Sequence, residues 1–323
     1  MKILLLLLLF SPSAWAVIFF STADPAHNRE TAPSGALAGS GWQYQGLFGN
    51  FLGTAISPNH FITAAHVGVA STFVSKDYFN GGSDITYTVN TTANSGTGYW
   101  NIAGTDLRIF EINGTFSSYA PLYTGSNEVG KDLVVMGRGT QRGTTVLLND
   151  NLIGWRWGTA DRLARWGTNQ VAATVSDNLG AQYLYATFDA AVGGNEAHLS
   201  SGDSGGAVFI NDGGVWKLAG INASVDGSWQ YTNNSNTGQT GEAEFQAALF
   251  DARGMYLGSD ASGWTLVTNE GEPVPSGFYS TRISSYQSQI YTITGVPEPG
   301  CLALVAFGGL MVMRRSRSAC KSR

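Results

Sequence analysis

The chain has 323 residues, of which only 13% are charged, with 42 glycines, four histidines, two cysteines and a net charge of −5. Mild acidity without a basic cluster between Val17 and Gly295 argues against a nucleic-acid partner. The glycine-, aromatic- and hydroxyl-rich composition argues against a helical bundle or a disordered chain and for an all-β domain with many turns.

Lys2 gives a short positive start, Ile3 to Phe10 is apolar throughout, and Ala14-Trp15-Ala16 supplies small residues for cleavage. This order predicts a signal peptide over residues 1–16, with a mature chain starting at Val17. The run is too short for a membrane helix. Both cysteines, Cys301 and Cys320, lie near the other end, so no disulfide is expected inside the folded domain. The scattered histidines make no recognisable ligand set, and neither a metal nor a cofactor is expected.

Short apolar segments punctuated by turns then follow in chain order. Leu47–Ile56 and Phe61–Ala64 flank a turn at Ser57-Pro58-Asn59, and Ile85–Val89, Leu107–Ile112 and Leu133–Met136 come next. Leu152–Trp157, Gln182–Phe188, Ala207–Ile210 and Trp216–Ile221 continue the series, which predicts a barrel or sandwich. Ala243–Met255 breaks it, since its apolar residues recur at helical spacing before a terminal glycine region, and a short helix is predicted there.

Two segments point to chemistry. In Gly202-Asp203-Ser204-Gly205-Gly206 the glycines permit a tight turn that presents a hydroxyl while backbone N–H groups converge beside it, although such a string also suits a glycine-rich hairpin. The N–H groups of Gly202 and Ser204 are the candidate oxyanion hole. Phe61-Ile62-Thr63-Ala64-Ala65-His66 reads as a buried strand ending in a histidine, which alone is more often a hydrogen-bonded core residue than a base.

Together these blocks resemble the trypsin/chymotrypsin-like serine peptidases. Gly53 to His66 resembles their histidine block, Thr105-Asp106-Leu107-Arg108-Ile109-Phe110 their aspartate block and Gly202 to Gly206 their serine block. Gly130 to Gly139 resembles the strand that opens their second barrel, and Ser276 to Ile283 their closing strand before a terminal helix. The order His66, Asp106, Ser204 fits that family and not the subtilisin or α/β-hydrolase orders. The resemblance implies two antiparallel six-stranded β-barrels, over 17–129 and 130–294, with a C-terminal helix and a short helical insertion at about 227–274. It further implies a serine endopeptidase with Ser204 as nucleophile, His66 as base and Asp106 as its orienting group. Asp77 and Asp84 also lie between histidine and serine, and the apolar strand after Asp106 favours that position.

The resemblance also places His198 at the base of the substrate pocket, Ala223, Ser224 and Val225 on its wall and Gly277 on its floor. No acidic base residue is present, so cleavage after Lys or Arg is not expected. Ala223 stands where the family has a serine bonded to the aspartate, and Ser224 is a candidate substitute. No Ile-Val-Gly-Gly start occurs, but cleavage after Ala16 frees a Val17 amine for which Asp203 is the candidate partner. The insertion reads as a lid, an exosite or a neutral surface elaboration. Val296-Pro297-Glu298-Pro299, an apolar stretch to Met313 and a basic end resemble the PEP-CTERM sorting signal of Gram-negative bacteria over 295–323. That resemblance implies transient membrane insertion, processing by an exosortase-type enzyme and a final place in the cell envelope or extracellular matrix. Protein or peptide substrates are the expected partners. The competing readings are an inactive surface or matrix binding protein on the same fold, and an esterase using the same three residues.

Overall fold

A computed structural model describes residues 17–75, 84–232 and 244–296. The expected signal peptide, Asp77 and nearly all of the expected sorting tail lie outside the described residues. No helix among the described residues is long and apolar enough to cross a membrane.

The first sheet runs His60–Ala64, Phe51–Ala55, Gln45–Phe48, Thr72–Ser75, Ile85–Val89 and Leu107–Asn113, with Tyr99–Asn101 at the edge. His60–Ala64 also pairs with Leu107–Asn113, with Ile62 opposite Ile109, so the six strands close into an antiparallel barrel. Its interior is aromatic. Phe48, Phe61, Phe73 and Phe110 are all essentially inaccessible, and the Phe61 and Phe110 rings stack with centroids 5.2 Å apart. Gly46 makes room for them, because a Cβ there would lie 2.3 Å from the Phe73 ring. Leu47–Ile56, expected as one strand, is instead a hairpin whose turn is Gly49-Asn50. Gly49 takes a φ of 59°, which suits glycine and supplied the missed signal.

Strand His60–Ala64 is buried on both faces, which accounts for its mostly apolar text. Phe61 points into the barrel, while Ile62 and Ala64 join Leu107, Ile109, Val134, Met136, Ala207 and Phe209 in a cluster between this barrel and the second sheet. That second sheet has seven antiparallel strands, in the order Arg165–Gln170, Asp132–Gly137, Ala207–Asp212, Val215–Val225, Gly277–Arg282, Gln182–Thr187 and Ala173–Ser176. Its strand ladder is open among the described residues, where a closed six-stranded barrel was expected. Val208 and Ile210 face its core while the alternate Ala207 and Phe209 face the first barrel, as the period of two requires. The predicted terminal helix is present at Gln287–Thr294 and packs through buried Ile290 against the shared cluster.

A third sheet lies beside these two. The long hairpin Thr140–Leu148 and Asn151–Ala160 is joined by Phe245–Leu249, Ser228–Gln230, Tyr256–Ser259 and Gly263–Leu266. The helix predicted over Ala243–Met255 is therefore a correction: Ala243 lies outside the described residues, and Phe245–Leu249 is a strand whose Trp155-to-Ala248 pairing ties it to the hairpin. The helical spacing misled because both faces are covered. Phe245, Ala247 and Leu249 pack with Val146 and Trp229, whereas Ala248 packs with Trp155 and Phe188 on the other side.

Candidate active site

His66 lies in a single turn that follows strand His60–Ala64, and Asp106 immediately precedes strand Leu107–Asn113. Pairing of Ala64 with Leu107 brings the two together, and Ala65 N–H donates to the Asp106 carbonyl at 2.9 Å. The Asp106 carboxylate then accepts twice from His66: Oδ1 from the backbone N–H at 2.9 Å and Oδ2 from Nδ1 at 2.5 Å. With the proton on Nδ1 facing the carboxylate, Nε2 is left to accept, and Ser204 Oγ is 2.7 Å from it. The Asp106 hydrogen bond holds the His66 pKa above its ordinary value, against partial burial that lowers it. Asp84 is exposed and has no bond to His66.

Ser204 comes from the other sheet, and its loop is wedged across the interface. A Cβ on Gly205, whose φ is 74°, would lie 2.2 Å from Thr63 Oγ1 and 2.6 Å from the Leu52 carbonyl. A Cβ on Gly206 would lie 2.0 Å from the Met136 carbonyl. The glycines that looked like turn formers are thus close-approach residues that let the serine loop touch the histidine barrel. Asn222, fully buried and not singled out by the sequence, fastens the loop: Nδ2 donates to the Met136 carbonyl at 2.8 Å and the Asp203 carbonyl at 3.2 Å, and Oδ1 accepts from Ser280. A lone asparagine inside a strand was the available signal.

The Gly202 and Ser204 amides donate to no other backbone or side chain among the described residues. The amides on either side of Ser204 are committed, Asp203 N–H to the Ser200 carbonyl, Gly205 N–H to the Asn222 carbonyl and Gly206 N–H to the Asp203 carbonyl. Two free donors beside a hydroxyl that has a proton acceptor form a site able to stabilise negative charge developing on a substrate oxygen.

A cavity of about 170 Å³ opens beside Ser204, lined by Trp157, Leu199, Ser200, Ser201, Asp203, Asn222, Ala223, Ser224 and Val225. The expected wall residues Ala223, Ser224 and Val225 are there. His198 and Gly277 are not among the lining residues, which corrects both placements. His198 is fully buried, with Nδ1 donating to the Leu199 carbonyl at 2.5 Å and Nε2 3.2 Å from Ser276 Oγ, and burial pushes its pKa down to about 4. Gly277 abuts the Tyr185 ring and the Ala186 carbonyl. Asp226, next to the wall, is held away by the hydroxyls of Tyr185 at 2.9 Å and Tyr279 at 3.0 Å. Trp157, missed in the sequence, packs on Gly227, where a Cβ would lie 2.2 Å from its ring.

Neither Ala223 nor Ser224 bonds Asp106; both border a second cavity of about 320 Å³ that reaches Asp106, Tyr183 and Tyr279. Asp203 is buried, with Oδ1 accepting from Gly139 N–H at 2.7 Å and Oδ2 from Ser200 N–H at 2.7 Å. Burial nonetheless pushes its pKa up to about 6. Val17 is buried, and the next two residues pair as Ile18 to His198 and Phe19 to Ala197. No group of three or more potential ligand side chains suited to a metal ion occurs among the described residues.

The chain matches no curated protein. A family model described as Trypsin matches residues 38–240.

Proposed function

Because the chain belongs to the trypsin family, we propose that it is a serine endopeptidase that cleaves peptide bonds through an acyl-enzyme on Ser204. The observation that carries the proposal is the continuous Asp106–His66–Ser204 relay, with distances of 2.5 and 2.7 Å, beside two uncommitted amides. Ser204 Oγ attacks the carbonyl carbon of the scissile bond while His66 Nε2 takes its proton. The amides of Gly202 and Ser204 receive the oxyanion, and His66 returns the proton to the leaving amine. Water then repeats the sequence on the ester. Asp106 keeps the Nδ1 tautomer in place throughout.

The residue preceding the scissile bond enters the cavity lined by Leu199, Trp157 and Val225. It is small to medium and uncharged, because the space is about 170 Å³ and no carboxylate is free to pair a cation. The mature form begins at Val17, whose amine pairs with Asp203. In support, Ile18 pairs with His198, six residues before Ser204, and a buried carboxylate gains from an adjacent ammonium. Export through the leader, transient insertion of the 295–323 tail and its removal by an exosortase-type enzyme complete the proposal, leaving the enzyme in the cell envelope or matrix. Masses of the chain isolated from envelope and medium test both ends.

A fluorophosphonate probe with the chain and its Ser204→Ala variant, together with a mixed peptide library read by mass spectrometry, tests the activity. Labelling and cleavage that vanish in Ser204→Ala are expected, on the order of 10⁶ in kcat. Absence of both in the mature chain overturns the proposal in favour of a binding protein, and cleavage of esters without peptides in favour of an esterase.

A further inference from the structure

The third sheet does more than decorate the rim of the cavity beside Ser204. Trp157 and Ser201 line that cavity on one side and on the other a wider groove of about 680 Å³, floored by the hairpin and by strand Phe245–Leu249. The two spaces are neighbours across one indole and one serine.

Arg156 stands in the groove. Its backbone is fixed in the sheet, opposite Ala247, and its guanidinium sits over the Phe245 ring, with Cζ 4.0 Å from the ring centroid. Among the described residues it has no ion pair and its side chain makes no hydrogen bond. Glu244 also borders the groove, but it is exposed, accepts from Gln246 Nε2 at 3.2 Å and makes no ion pair with Arg156. The contrast with Arg165, Arg253 and Arg282 is clear, since each of those is paired with a carboxylate of this chain. A guanidinium held over an aromatic ring and without a protein acceptor keeps N–H groups available, and the planar fork they form matches the two oxygens of a carboxylate.

We propose that Arg156 is a specificity-determining residue, and that the groove over Phe245 takes an acidic side chain of the peptide substrate within a few residues of the scissile bond. This inference rests on the endopeptidase reading. A peptide whose uncharged residue fills the cavity beside Ser204 passes along the Trp157–Ser201 rim, and its neighbouring Asp or Glu reaches the Arg156 edge. Selectivity in this enzyme is thereby divided between an uncharged pocket and a cationic platform carried by a sheet.

Three measurements on the mature chain test it. In cleavage of a peptide library, Asp and Glu are expected to be enriched at one fixed position. Arg156→Ala removes that enrichment, and Arg156→Glu replaces it with Lys and Arg. For a matched pair of peptides with Glu or Gln at that position, Arg156→Ala raises KM for the Glu peptide roughly tenfold and leaves kcat and the Gln peptide unchanged. Binding of the same peptides to Ser204→Ala, by fluorescence anisotropy with and without Arg156→Ala, reads the contact without catalysis and is expected to weaken by the same factor. A library without acidic enrichment, or equal binding with and without Arg156, overturns the role of Arg156. Loss of probe labelling in the unaltered chain, with the binding difference intact, instead overturns the peptidase reading.

Discussion

Replacing Asp106 by asparagine tests the relay at the member that orients its histidine. The carboxylate accepts two hydrogen bonds from His66, at 2.9 Å and 2.5 Å, and an amide has one oxygen for those two donors. If that oxygen keeps the backbone N–H, the amide NH₂ faces Nδ1. The imidazole then carries its proton on Nε2 and has no lone pair for Ser204. The expected cost is on the order of 10⁴ in kcat, about 5.5 kcal/mol of transition-state stabilisation. A second signature accompanies it. The hydrogen bond to Asp106 is the main reason the His66 pKa is raised, and catalysis needs His66 neutral, so the acid limb of the unaltered enzyme lies above the ordinary histidine value. In Asp106→Asn that limb moves to lower pH while the plateau falls. The assay is kcat and kcat/KM against pH on a peptide drawn from the library. A plateau within tenfold of the original, with the limb unmoved, would refute the reasoning.

Other perturbations probe the surroundings. Glu196 is buried and its pKa is pushed up to about 8, with Asp189 adding repulsion. The native state therefore holds a proton that the unfolded chain has released above about 4.5, and stability falls as pH rises toward 8. Between pH 6.5 and 8 the slope from this group is about 1.4 kcal/mol per pH unit, and urea midpoints should show it flattened in Glu196→Gln. Below pH 6.5 the buried neutral His198, with its pKa near 4, works the other way, because the unfolded chain takes up a proton that the native state refuses. Gly206→Ala places a methyl against the Met136 carbonyl and should cost about 1–3 kcal/mol in denaturant unfolding and displace Ser204, with probe labelling slowed more than stability alone explains. If the Val17 amine pairs with Asp203 as proposed, one residue added before Val17 should depress kcat. An unchanged rate, with the added residue verified by mass, would sink that pairing.

Much of the site was legible because its chemistry is local. Strand His60–Ala64 is buried on both faces, so its mostly apolar text stands out, and His66 follows directly. The serine loop must approach two backbones, so Gly205 and Gly206 cannot be anything else. The groups that hold or extend the site carry no such mark. Asn222 is one amide in a long strand, and Trp157 and Arg156 sit in a hairpin whose text resembles any other. His198 was misplaced for a related reason: the family resemblance put it at the pocket base, but the burial of its ring against Leu199 and Ser276 depends on how the sheets pack.

The sequence by itself marked many of the strands, as short apolar runs between turns, and the blocks holding His66, Asp106 and Ser204 in their order, because such runs and blocks are contiguous in the chain. The tertiary structure decided whether Phe245–Leu249 was strand or helix, since covering both faces by Trp229 on one side and Trp155 on the other removed the alternation that sequence reading relies on. It also decided which carboxylates lie at the pocket and that Arg156 makes no ion pair with a described residue, because a charge's partner is set by distance in space and not by its place in the chain.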